Sequence, residues 1–151
     1  MKILVSACLV GCACRYDGVS KANEAVLRLE KTHTLIPFCP EIYGGLPTPR
    51  PPCELRGGRV LRADGADCTA AYQKGAAEAL ALCGRLGVTA AVLKARSPSC
   101  GHGEIYDGSF TGTLTRGDGL AAALLLQNGI AVFDETTCCR LCGETVDLAE
   151  E

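Results

Sequence analysis

A chain of 151 residues, 48% of them hydrophobic, is of one-domain length and carries enough apolar material for a single core over residues 1–151. Fifteen Lys and Arg against 17 Asp and Glu give a formal charge of −2 with the basic residues scattered, which excludes the footprint of a protein that grips long nucleic acid or an anionic membrane. Eleven cysteines, an odd number with no secretory leader in "MKILVSACLVG", read as reduced thiols in a cytoplasmic protein, some of them metal ligands, rather than as a disulfide framework.

The segment "KILVS" is an apolar, β-branched run of strand length, and "TLIPFC", "AAVLK" and "IAVFD" repeat the pattern further along. Helix candidates lie between them: a short one from Asn23 to Lys31, a long alanine-rich one from Cys68 to Leu86, and "LAAALLLQN" from Leu120 to Asn128. Asp67 and Asp118 are candidate N-caps, and Gly87 and Gly129 candidate C-terminal stops. Cys68 and Cys83 read as small buried hydrophobes. Strands alternating with helices predict an α/β fold with a mainly parallel sheet covered on both faces. Pro47 to Asp67 breaks the pattern, because "PTPRPP" suits neither helix nor central strand and "CELRGGRVLR" suggests a hairpin turning at Gly57 and Gly58. That stretch is expected to be a surface excursion. The acidic end "DLAEE" reads as solvated.

Ligands of open parallel sheets bind outside the carboxyl ends of the strands. The residues just past three strands agree in type: Cys8 in "SACLVG", Cys39 with Glu41 in "FCPE", and Cys100 in "SPSCG". Each cysteine sits near glycine or proline, which fixes a turn and lets backbone approach a bulky group. Three converging thiolates suit zinc with an open position or an iron-sulfur cluster with one open iron. Their wide spacing lacks the close pairs of structural zinc and favours the cluster. His33 reads as a surface residue and His102 as lining the loop beside Cys100.

Together, "SACLVGCACRYDG", "CPEIYGGLPTPRPPCEL", "VLKARSPSCGHGEIYDGSFTG" and "GDGLAAALLLQNGIAVF" resemble the thiouracil desulfidase family over nearly the whole chain and in the same order. The resemblance implies a Rossmann-like three-layer domain. It further implies a 4Fe-4S cluster held by Cys8, Cys39 and Cys100 with one iron open, which takes sulfur from a thiolated base without net redox change. Glu41 and Ser97 are implied as catalytic, Glu41 being the natural general base for the attacking water. Structural roles compete at each position: Glu41 as a turn cap, Ser97 as the turn residue before Pro98, Gly44 and Gly45 for backbone shape or close approach, and Tyr16 and Tyr106 as parts of two aromatic-acid-glycine turns.

The implied reaction is removal of sulfur from 2- or 4-thiouracil to give uracil and hydrosulfide. Thiolated nucleosides or tRNA stand as an alternative substrate, and a non-catalytic zinc or iron-sulfur module as an alternative function. Cys12, Cys14 and the pair Cys139 and Cys142 have no place in this scheme. By spacing the last two form half of a zinc or redox site, which Cys12 and Cys14 could complete, and Cys14 could also replace one of the three ligands.

Overall fold

The computed structural model describes residues 1–141. In chain order its strands are β1 (Lys2–Ser6), β2 (Thr34–Phe38), β3 (Cys53–Arg56), β4 (Arg59–Arg62), β5 (Ala90–Leu93), β6 (Glu104–Tyr106), β7 (Leu114–Arg116) and β8 (Ala131–Asp134). The α-helices are α1 (Glu24–Leu27), α2 (Pro40–Tyr43), α3 (Thr69–Leu86) and α4 (Leu120–Gln127), joined by single-turn 3-10 segments at Ala7–Val10, Arg28–Lys31 and Cys138–Leu141.

The four apolar runs read from the sequence are the four strands of one parallel sheet, ordered β2-β1-β5-β8. Alternation along each strand divides the core between two faces. Leu4, Ala91, Leu93 and Val132 pack against α3 and α4 through Ala79, Cys83, Ala122 and Leu125. Ile3, Val5 and Val92 face the other way, onto Leu9, Val26, Leu29 and Cys138 from the shorter helical segments. The sheet is thus covered on both sides, as expected of the α/β class. The chain passes from β1 to β2 on one side and later returns to β5 on the other, so the order reverses around β1. A crevice opens there at the carboxyl edge.

Helix ends follow the sequence unevenly. Asn23 caps α1 by accepting from the Val26 amide, and Gly87 ends α3 in the left-handed region. Asp67 lies one residue ahead of the α3 cap position, Cys68, yet its Oδ1 still accepts the Thr69 amide at 2.8 Å. Asp118 does not cap α4; it accepts from the Gly103 amide and pairs with His102 Nδ1. The first amides of α4 instead donate to main-chain carbonyls of the preceding loop: Leu120 to Pro98, and Ala121 and Ala122 to Ser99. These otherwise orphaned helix amides therefore fasten the segment carrying Cys100.

The stretch from Pro47 to Asp67 is less peripheral than the sequence suggests. Gly57 and Gly58 both have positive φ and close the β3-β4 hairpin, as expected. However, Cys53 and Val60 are buried against Tyr72 of α3, so the hairpin walls the crevice instead of projecting from it. A second hairpin, β6-β7, follows the Cys100 loop. Among the described residues no helix is long and apolar enough to cross a membrane.

Candidate active site

A cavity of about 560 Å³ opens at the carboxyl edge of β1, β2 and β5, and Cys8, Cys39, Cys100, Glu41 and Ser97 all line it. The five residues singled out in the sequence are therefore brought together, each by its own element. Cys8 sits in the 3-10 turn directly after β1. Cys39 is the N-cap residue of α2, whose next residues are Pro40, with φ preset for a helix start, and Glu41. Cys100 follows β5 on the loop tied down by α4.

Burial shapes the thiols. Cys100 is 5% exposed and is pushed up to about 11 by desolvation, against hydrogen bonds from Ser6 and Ser99 that act the other way. The Ser6 hydroxyl donates to Cys100 Sγ at 3.3 Å and is itself fixed by the Lys94 amide at 2.8 Å. Cys39 is also raised, first by a hydrogen bond to Cys14 and then by burial. Cys14 and Cys53 also line the cavity, and Cys14 contacts both Cys39 and Cys8. The Cys39 bond lowers its pKa, but the Cys8 bond and burial outweigh that and bring it to about 11.

Glu41 is held at both oxygens. Arg50 donates to Oε1 from Nε at 2.9 Å and from Nη2 at 2.8 Å, and Ser99 Oγ donates to Oε2 at 3.0 Å. Arg50 is 8% exposed, and its other donors reach the Pro47 carbonyl, the Thr48 hydroxyl and the Cys14 carbonyl. One guanidinium thus locks the carboxylate to the loop that carries Cys14. Ser97 accepts the amides of Ser99 and Cys100, so it does cap the thiol-bearing turn. Its hydroxyl also lies 3.0 Å from Ser99 Oγ. The single Ser99 proton is shared between Glu41 Oε2 at 3.0 Å, the stronger acceptor, and Cys100 Sγ at 3.6 Å; with it committed to either, Ser97 is left to donate to Ser99 Oγ. A continuous chain of hydroxyls therefore runs from Ser97 through Ser99 to Glu41.

Arg50 and Ser99 were missed by the sequence reading. Arg50 hid in "PTPRPP", where the prolines drew attention to the backbone; a lone cation in a proline-fixed stretch nine residues past Glu41 was the available signal. His33 bonds the Leu141 carbonyl and the N-terminal amine, and His102 pairs with Asp118, so neither approaches the thiols. Cys139 is exposed, while Cys142 lies outside the described residues, and the sequence-based second metal site rests in part on it.

Soft sulfur donors around one cavity fit an iron-sulfur cluster. Among the described residues no group of three Cys, His, Asp or Glu is arranged to hold a single metal ion. Among those residues the cavity offers thiolates and no histidine, a donor set that fits a cluster.

Known proteins share this architecture. A solved structure described as a [4Fe-4S]-dependent thiouracil desulfidase, TudS, superposes with a TM-score of 0.87 at 45% identity, covering 99% of each chain. An uncharacterised protein of Bacillus subtilis (strain 168), YbbK, is 42% identical over 88% of this chain and 95% of its own length. The sequence pattern of the 2-thiouracil desulfurase family matches residues 3–137, which takes in the strands from Ile3 onward, the thiols at positions 8, 39 and 100, and the Glu41 and Ser97 positions; the chain belongs to that family.

Proposed function

We propose that this chain is a 4Fe-4S-dependent desulfidase that hydrolyses the C–S bond of thiouracil to give uracil and hydrosulfide. The observation that carries the reading is the convergence of Cys8, Cys39 and Cys100 with Glu41 and its hydroxyl chain in one cavity at the sheet edge. Cys8, Cys39 and Cys100 would hold the cluster, which supplies a thiophilic Lewis acid able to polarise the thiocarbonyl.

The protein's own groups do the rest. Glu41, oriented by Arg50, takes a proton from water as the water oxygen attacks the thiocarbonyl carbon. The C–S bond breaks, the carbonyl oxygen derives from water, and sulfur departs as hydrosulfide, so no electrons are gained or lost. The hydroxyl chain points its donors from Ser97 through Ser99 toward Glu41, so it orients the carboxylate, which passes the proton taken from water to the departing sulfur and releases the second water proton to solvent. Buried, preorganised donors make this cheaper than in bulk water.

Anaerobic reconstitution followed by measurement of hydrosulfide release from 2-thiouracil tests the reaction. Glu41→Gln should keep iron and acid-labile sulfide while losing about 100-fold or more in turnover. A fully loaded enzyme that releases no hydrosulfide from any thiolated base refutes the function, and full activity in Glu41→Gln refutes the base.

A further inference from the structure

The loop joining β6 to β7 holds three alternate residues, Gly108, Phe110 and Gly112, in the left-handed region at φ +94°, +58° and +78°. Glycine enters that region without penalty, whereas a bulky side chain there is a genuine outlier. Only Phe110 departs from glycine, and Phe110 lines the cavity that holds Cys8, Cys39 and Cys100.

The conformation is built, not incidental. Glu54 of β3 accepts the amides of both Gly108 and Phe110 on Oε1, at 2.9 and 3.1 Å. Asp107 accepts the Ser109 amide and hydroxyl, and a run of hydroxyls continues from Ser109 to Thr111 to Thr113. A carboxylate from one hairpin thus forces the backbone of another into a shape that glycine would adopt unaided. Strain retained in this way at a ligand cavity is retained for what the side chain touches.

We infer that Phe110 is a ring-binding residue of the site, stacking its aromatic face on the flat pyrimidine while the thiocarbonyl points to the thiol end of the cavity. This deepens the thiouracil reading and rests on it. The ring of a thiolated pyrimidine is planar and offers apolar faces, which hydrogen bonds from Glu41 or Ser97 cannot recognise. An aromatic wall supplies that recognition without regard to where the sulfur is placed on the ring.

The test compares Phe110→Gly, Phe110→Leu and Phe110→Tyr in the loaded holoenzyme, reading 2-thiouracil affinity by calorimetry, melting temperature, and iron and sulfide content. Glycine relieves the backbone, so Phe110→Gly should melt at or above the wild-type temperature with an unchanged cluster, yet bind 2-thiouracil roughly tenfold more weakly, the loss expected for one stacking contact. Phe110→Tyr should bind like wild type and Phe110→Leu in between. Unchanged affinity in Phe110→Gly overturns the assignment, as does an affinity loss accompanied by a lower melting temperature or a depleted cluster, because the residue would then be structural. Wild-type protein that binds and desulfurises 2-thiouracil while Phe110→Gly behaves identically removes only the stacking role; wild-type protein that binds neither 2-thiouracil nor uracil removes this assignment together with the function.

Discussion

Arg50 and Glu41 form a buried ion pair, with guanidinium and carboxylate side chains only 4% and 13% exposed and two nitrogens within 2.9 Å of one oxygen. Removing one partner of such a pair leaves the other desolvated and uncompensated, which costs about 3 kcal/mol or more. Arg50→Ala should therefore lower the urea midpoint of the cluster-free protein and also reduce turnover about 100-fold through misplacement of Glu41. Arg50→Lys keeps the charge but cannot reach Glu41, Pro47, Thr48 and Cys14 together, so it should recover only part of either loss. A wild-type urea midpoint in Arg50→Ala would show that the pair contributes nothing.

The cavity thiols Cys8, Cys14, Cys39 and Cys100 should separate by role. Replacing Cys8, Cys39 or Cys100 with Ser removes a proposed ligand, and each variant should lose the visible absorption of the reconstituted cluster. Cys14 contacts Cys8 and Cys39 but is not a proposed ligand, and Cys14→Ser should retain iron and sulfide. Loss of the cluster in Cys14→Ser with retention in Cys8→Ser would transfer the ligand role from Cys8 to Cys14.

Much of this arrangement was legible in the sequence. The parallel sheet followed from four apolar runs, and the strand-end rule then selected Cys8, Cys39 and Cys100 without knowledge of distances. Less local relationships were not visible. The partners of Arg50 and Ser99 lie up to 58 positions away in sequence, and no periodicity reports such contacts. Asp118 looked like a helix cap by residue type, but its carboxylate was taken by His102 and Gly103 while carbonyls of the Cys100 loop satisfied the helix. The second hairpin escaped because its strands are only three residues long, too short for alternation to show, and a glycine-containing loop separates them.

Stability should decline at alkaline pH through thiols buried away from the site. Cys83 on α3 is 1% exposed, and burial raises its pKa above the ordinary 9.0. Above pH 9 the unfolded chain releases this proton first, the folded chain holds it, and stability falls as pH rises. Cys83→Ala should cost about 1 kcal/mol near neutrality, and the gap to wild type should narrow as pH rises past 9.0. Urea midpoints at constant ionic strength read this; a gap that stays constant or widens rules out Cys83 as a source of the alkaline loss.

The contact between α2 and α3 decides where Cys39 and Glu41 stand, and two glycines make it possible. A Cβ on Gly75 of α3 would fall 1.9 Å from the Pro40 carbonyl oxygen, and one on Gly44 would fall 2.1 Å from that of Ala71. Both obstacles are backbone, so no side chain can swing aside. Gly75→Ala should push α2 away, destabilise the cluster-free protein by about 1–3 kcal/mol and lower the iron bound on reconstitution. Gly84 lies on the same helix with nothing within 4 Å of a built Cβ, and there the usual helix preference for alanine applies unopposed. Gly84→Ala should therefore stabilise by about 0.5–1 kcal/mol and leave iron binding intact. Opposite signs for the same substitution, two turns and a half apart on one helix, isolate the close approach from helix propensity; equal signs in the urea midpoints would mean that α2 is not positioned by Gly75.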